Sequence, residues 1–351
     1  MIGDVVRNSR ILVTGHSGFK GSWLTQILSE LGAEVFGISL PNQPNSLFHR
    51  FNIPKDEQFF YQDINDFEKT SNIVTQIKPE IIIHLAAQPL VLESYREPLL
   101  TFQTNVMGTA NILEIGRLCN SVNSVVVVTT DKVYKNLETL DGYTEESSLG
   151  GSDPYSASKS AAEMVVNSWR ALQNSSSRSF GICSVRAGNV IGGGDGSKDR
   201  LIPDLIRAFA SNTSPVIRNP KSVRPWQHVL EPLFGYVTLI EKMQSGESVG
   251  DAYNFGPNIS ARISVLEVSE IARNEWPSSL NFKFEDSNVN FKESTNLWLD
   301  STKAFRDLGW SSHLSATEAI SWTLNWEKEV RHSSPVDVTL KQIRNYLERM
   351  N

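Results

Sequence analysis

The chain has 351 residues, too many for one ordinary core, so a large domain with a smaller one beside it is expected. A net charge of -6 with no basic block argues against nucleic acid as the main partner, yet leaves room for a local basic pocket that takes a phosphorylated small molecule. No apolar run approaches the length of a membrane span, residues 1–10 carry no signal pattern, and Cys119 and Cys183 sit in apolar settings that suit buried free thiols, so a soluble cytoplasmic protein without a disulfide or metal site is expected.

The first element is a strand, Ile11-Leu12-Val13-Thr14, which breaks into Gly15-His16-Ser17-Gly18-Phe19-Lys20-Gly21 and resumes as a helical pattern at Leu24, Ile27, Leu28 and Leu31. Glycine at 15, 18 and 21 permits positive φ, close approach of backbone to a pyrophosphate, and tight packing of helix on strand. The free N–H groups of the helix's first turn then face an anion, and the unit reads as a dinucleotide-binding loop. A second strand over 34–39 ends in Ser39, where an NAD-binding unit usually places an acid for the ribose 2′-hydroxyl. Without that carboxylate a 2′-phosphate is not repelled, so NADP stays open beside NAD.

Residues 40–56, rich in Pro and Asn, read as a loop, 59–64 as a third strand, and Asp66 as the cap of a helix to about Lys78. The continuous apolar run 80–88 is a strand buried on both faces, with His84 a satisfied strand histidine rather than a catalyst. Residues 95–118 form one long helical pattern containing Asn105 and Gly108, and 122–130 the next buried strand. Asp153-Pro154 starts a helix through about Gln173, and 180–186 is the closing strand. This alternation predicts an α/β fold, a Rossmann-like doubly wound parallel sheet over 1–187, with ligands at the carboxyl ends of its strands. Residues 188–351 are expected to form mainly a smaller mixed α/β lobe, some segments returning to the first domain. Its tryptophans Trp298, Trp310, Trp322 and Trp326 read as core, and 336–350 as an amphipathic helix.

Tyr155 and Lys159 stand one helical turn apart on one helix face, a geometry suited to proton transfer, because a lysine ammonium favours phenolate. Thr130-Asp131-Lys132 ends the preceding strand, so two elements deliver hydroxyl, carboxyl, amine and phenol to one rim.

These segments, with Arg186-Ala187-Gly188-Asn189-Val190-Ile191-Gly192-Gly193-Gly194-Asp195, Asp199-Arg200-Leu201-Ile202-Pro203-Asp204 and the stretch 217–232, resemble the extended short-chain dehydrogenase/reductases and, within them, the sugar-nucleotide 4,6-dehydratases. The His-Ser-Gly-Phe-Lys-Gly-Ser-Trp and Arg-Pro-Trp-Gln-His-Val-Leu-Glu-Pro forms point to the branch acting on CDP-glucose. The resemblance implies C4 oxidation with Tyr155 as base assisted by Thr130, loss of water across C5 and C6, and return of the hydride to C6. It makes Asp131 the acid and puts Lys132 where the dTDP-sugar relatives carry a glutamate base. It implies NAD held by Gly15, Gly18, Phe19, Lys20 and Gly21, by Asp63 and Ile64 at the adenine, by Ala86, Ala87 and Gln88 at its middle, and by Asn105, Thr129, Tyr155 and Lys159. It gives a nucleotide-sugar to Asn189, Arg200, Leu201, Pro203, Arg218, Arg224 and His228. A homodimer is expected from the long helices over 95–118 and 154–173, which would pair as a four-helix contact. A 4-epimerase of the same family would need no acid/base pair for eliminating water, so Asp131-Lys132 discriminates, and an intact Thr130, Tyr155 and Lys159 disfavours a non-catalytic dinucleotide sensor.

Overall fold

Uninterrupted apolar runs rich in Val and Ile form the middle of the molecule, where no strand face meets water. The computed structural model describes residues 3–41, 46–52, 58–139, 141–173, 180–197, 199–258, 261–276, 280–285 and 297–350. Strands β1 (Arg10–Thr14), β2 (Glu34–Ser39), β3 (Phe59–Tyr61), β4 (Ile81–His84), β5 (Ser124–Val128), β6 (Gly181–Ala187) and β7 (Ala252–Phe255) make a seven-stranded sheet in the order β7-β6-β5-β4-β1-β2-β3. All its pairings are parallel. The chain winds outward from β1 in both directions, so the crevice for a ligand opens between β1 and β4 at the carboxyl ends.

Side chains alternate across each strand and divide the core in two. Ile11, Val13, Ile81, Ile83, Val126 and Val128 face a cluster with Trp23, Leu24 and Ile27 of helix α1 (Phe19–Glu30), and with Leu230, Leu233 and Phe234 of a helix over Leu230–Gln244. Leu12, Ile82, Val125 and Val127 face the other way, onto Val74 and Ile77 of α2 (Phe67–Ile77), Ile112 and Leu113 of α3 (Gly108–Leu118), and Val166 of α4 (Pro154–Gln173). Asp66 caps α2 by accepting from the Lys69 N–H, and the helix stops at Lys78 in the left-handed region, φ 53°.

A third cluster, beyond residue 188, gathers Ile202, Leu205, Phe209, Trp226, Val268, Ile320 and Leu324. From the same region the chain returns to the sheet: β7 adds an edge strand beside β6, so the strand expected to close the sheet is not its edge. Glu231, in the helix Leu230–Gln244 henceforth α5, holds the C-terminal helix α6 (Pro335–Met350) by accepting from Tyr346 OH at 2.6 Å, while its other oxygen accepts from the Leu314 N–H at 2.7 Å. Trp310 and Trp326 are buried and Trp322 packs on their cluster, as core.

Two expected elements differ. The pattern over 95–118 breaks once, after Val91–Arg96, because Glu97 precedes a proline and is forced out of the helical region to φ -126°, ψ 64°; from there Pro98–Phe102, a π-helical turn Gln103–Met107 and α3 run on without a break. Within the expected loop 40–56, Ser46 caps a short helix, Leu47–Arg50, by accepting from the His49 N–H; residues 42–45 and 53–57 lie outside the described residues.

A Cβ on Gly21 would stand 2.1 Å from the Gly15 carbonyl oxygen, whereas one on Gly196 would meet nothing within 4 Å. Gly21→Ala is therefore expected to lower stability by about 1–3 kcal/mol through overpacking against backbone, and Gly196→Ala to leave it within about 0.5 kcal/mol, as read by urea unfolding.

Candidate active site

After Thr14 the chain reverses into α1 through residues 15–18, which glycine makes possible. Gly15 has φ +76°, and a Cβ there would lie 2.7 Å from the Ala86 nitrogen, so β1 and the end of β4 approach as closely as backbone allows. Gly18 begins α1 with no side-chain cap, leaving the first-turn N–H groups for an anion. The Ala86 N–H donates to Thr14 Oγ1 at 3.3 Å, and His84 uses both ring nitrogens, on Thr14 Oγ1 at 2.7 Å and Thr109 Oγ1 at 3.1 Å. Burial pushes His84 down to about 3, so it is a neutral strut. At the end of β2, Ser39 Oγ donates to the Leu40 carbonyl at 2.9 Å, and the neighbouring His16 ring packs on Phe48 and Phe59 and is pushed down to about 4 by burial.

The carboxyl end of β5 turns through a single 3-10 turn, Asp131–Val133. Thr130 Oγ1 donates to Asp131 Oδ1 at 2.8 Å and accepts from the Lys132 N–H at 3.4 Å, fixing all three residues against one another. Asp131 is buried, and loss of water raises its carboxyl above the usual range, although Lys132, Thr130, Arg224 and Lys20 oppose this. Lys132 is half-buried. Opposite stands α4, whose first turn is tied by Asp153 Oδ1 accepting from the Ser156 N–H at 3.0 Å and by the Tyr155 N–H donating to Ser94 Oγ at 3.1 Å.

Tyr155 is buried and hydrogen-bonds Thr130. Its phenol does not sit low, as the spacing to Lys159 suggested: burial pushes it up to about 12, with the Thr130 bond and Arg200 opposing and Asp131 adding to the rise. Lys159 Nζ instead donates to the Val128 carbonyl at 3.0 Å, and burial pulls it down to about 8 against the Glu163 carboxylate. The rim is cationic. Lys20 reaches it from the glycine loop, 3.5 Å from Tyr236 OH, and is pulled down to about 8 by burial and then by Arg200, with Asp131 opposing. Arg200 pairs with Asp195 at 3.1 Å, Arg218 with Asp199 at 3.6 Å, and Arg224 donates to the Val223 carbonyl at 3.0 Å while its charge acts on Asp131.

The structure brings Thr130, Asp131, Tyr155, Lys159, Lys20, Arg200 and Arg224 to one rim, but turns three expected contact residues inward. Asn105, in the π-helical turn, is buried with its amide donating to Ser158 Oγ at 2.9 Å and the Gln88 carbonyl at 3.1 Å, while its Oδ1 accepts from the Gln88 N–H at 2.8 Å. Thr129 Oγ1 donates to Glu163 Oε1 at 2.5 Å, behind the rim. His228 is fully buried with its ring edge-on between Trp23 and Trp322, and burial pushes it down to about 3. Asn105 and Thr129 are thus bonded within the protein, and His228 is packed between rings with its Nε2 buried and unbonded. Asp63, exposed, and Ile64, packed against Gly108, follow β3; Leu201 and Pro203 open the helix Leu201–Ala210, and Asn189 is exposed beside it in sequence after β6. Sequence reasoning missed Glu163, although it continues the spacing of four residues from Tyr155 and Lys159.

The family profile described as GDP-mannose 4,6 dehydratase matches residues 12–323. The chain is 41% identical over 349 residues to the CDP-glucose 4,6-dehydratase of Salmonella typhimurium, covering 97% of each, and 27% identical over 344 residues to a dTDP-glucose 4,6-dehydratase of Escherichia coli, covering 90% of this chain and 93% of that one. The fold is also that of DesIV, the dTDP-glucose 4,6-dehydratase of Streptomyces venezuelae solved with NAD and TYD bound, with a TM-score of 0.77 at 22% identity, covering 92% of this chain and 97% of that one. A glycine cradle at a topological switch point, a buried Tyr/Lys pair facing an acid, and these matches along nearly the whole chain lead to one conclusion: the chain belongs to the GDP-mannose 4,6-dehydratase family.

Proposed function

We propose that this protein is an NAD-dependent 4,6-dehydratase that converts CDP-glucose to CDP-4-dehydro-6-deoxyglucose and water. The observation that carries the reading is the Thr130–Asp131 hydrogen bond set opposite Tyr155, because it puts a hydroxyl, an acid and a phenol on one substrate. The identity to the Salmonella typhimurium enzyme supports the nucleobase and sugar.

The described residues fit the cofactor. Gly15 offers the close approach a pyrophosphate needs, α1 offers uncapped N–H groups, and Ser39, Leu40 and Pro41 at the end of β2 include no cation for a 2′-phosphate, which favours NAD over NADP. When bound, NAD would take the C4 hydrogen as hydride and return it at C6. To take the C4 hydroxyl proton over Thr130, Tyr155 must first be a phenolate, which the positive nicotinamide ring of bound NAD and the Lys159 ammonium would favour against the burial that raises it. The new ketone acidifies C5–H, which Lys132 removes as its neutral amine, becoming the ammonium, while Asp131, kept protonated more readily by its burial, protonates the departing C6 hydroxyl. Arg200, Arg218 and Arg224 hold the diphosphate, each guanidinium able to give two parallel hydrogen bonds.

We also propose a cytoplasmic homodimer. Leu99, Phe102, Met107 and Met164 are exposed on the helices that lead into α3 and on α4, Leu99 by 85%, and a second copy would cover them. Cys119 and Cys183 are free, which suits a reducing compartment.

A mass-spectrometric screen of CDP-, dTDP-, GDP- and UDP-sugars is expected to show loss of one water from CDP-glucose first; turnover of another nucleotide in its place would overturn the assignment. In single turnovers with CDP-glucose, Lys132→Ala is expected to accumulate reduced nicotinamide absorbance and to slow C5 exchange with solvent, whereas Tyr155→Phe, blocked before the ketone forms, shows no such absorbance and no C5 exchange. Wild-type elimination by Lys132→Ala would make that residue a bystander. Sedimentation at micromolar concentration should give a dimer, and Leu99→Asp with Met164→Asp a monomer.

A further inference from the structure

Behind the rim lies a charged network that the reaction does not touch. Glu163 is fully buried in α4 and forms an ion pair with Arg186 of β6, with Arg186 Nε on Oε1 and Nη2 on Oε2, both at 2.9 Å. Ser184 Oγ donates to Oε2 at 2.7 Å and Thr129 Oγ1 to Oε1, so this carboxylate of α4 is held from β6 and from the residue that follows β5. Arg186 Nη1 donates to Tyr134 OH at 2.8 Å, which donates to Asn254 Oδ1 of β7 at 2.7 Å.

The position of this pair matters for the chemistry. Thr129 immediately precedes Thr130, and Tyr134 immediately follows the turn that carries Asp131 and Lys132. Glu163 lies one helical turn beyond Lys159. Resting on the reading of Tyr155 and Lys159 given above, we propose that Glu163, locked by Arg186, is a positioning residue of this active site: it supplies the counter-charge for the Lys159 ammonium and pins the strand end that presents Thr130. Burial alone would raise the Glu163 carboxyl; the hydrogen bonds and charge of Arg186, with Thr129 and Ser184, bring it below its usual range, so the carboxylate is present as an anion. The other groups facing Lys159 do not supply a negative charge: Lys20 of α1 is a cation, and His84 of β4 is neutral.

Glu163→Gln alone strands the Arg186 cation in the core, a change expected to impair folding. Glu163→Gln combined with Arg186→Met removes both charges, and such exchanges keep a fold. Tyr134→Phe loosens the same network and keeps the Glu163 charge. The titration of the Lys159 side chain is followed by lysine-selective 15N NMR, its signal assigned by loss in Lys159→Arg, alongside the pH dependence of kcat with CDP-glucose. In the folded double variant the Lys159 midpoint is expected to fall by about one pH unit, the alkaline limb of kcat to move with it, and kcat to drop about tenfold with KM changed less than about twofold; Tyr134→Phe should leave the midpoint in place. An unmoved midpoint in the folded double variant, or an equal shift in Tyr134→Phe, overturns the inference while leaving the catalytic pair intact. A midpoint that moves without the kcat limb shows that Lys159 is not catalytic, and overturns both.

Discussion

Desolvation of charge at the carboxyl ends of β4, β5 and β6 is the constraint on which the rest depends. Asp131, Lys159, Glu163 and Arg186 are all buried there, and an ion moved from water to a protein interior loses several kcal/mol of hydration even after relaxation. The chain answers with pairing: Arg186 neutralises Glu163, Glu163 opposes the discharge of Lys159, and Thr130 donates to Asp131. What burial leaves uncompensated is what proton transfer needs. The Asp131 carboxyl is raised toward the protonated form, and Lys159 is brought to about 8, within reach of working pH.

The sheet holds this arrangement in place. Ile81-Ile82-Ile83 and Val125-Val126-Val127-Val128 have no polar face, so β4 and β5 are covered on both sides and their ends are fixed to the same degree as the core. The glycine loop contributes the other wall, since only a residue lacking Cβ lets β1 approach Ala86 as Gly15 does. Lys20, carried on the next turn, is thereby brought to Asp131 and Lys159 although it lies more than a hundred residues away in sequence.

Much of this was legible in the sequence, for identifiable reasons. The buried strands announce themselves by β-branched runs, the loop by its glycines, and α4 by Asp153-Pro154 with the Tyr/Lys spacing behind it. The break at Glu97 was also legible, because Pro98 restricts the residue before it, but the strong apolar period on either side hid it. The edge strand β7 was not: Ala252–Phe255 is four residues long, and its place beside β6 depends on the packing of α5. Nor could spacing say which way a side chain turns. Asn105, Thr129 and His228 lie beside the site in sequence, yet their partners Ser158, Glu163 and the ring of Trp23 come from other elements. Nor could spacing show that burial raises the Tyr155 phenol, against Thr130 and Arg200, while Lys159 donates to the Val128 carbonyl.

The central claim is that one pocket oxidises C4, eliminates water across C5 and C6, and reduces C6 within a single binding event. The direct measurement is turnover of CDP-glucose carrying deuterium at C4, with NMR of the product. Deuterium is expected in the C6 methyl group of the 4-keto product, with none released to solvent. Deuterium washed out to solvent, or a product that keeps its C6 hydroxyl with C4 inverted, would contradict it.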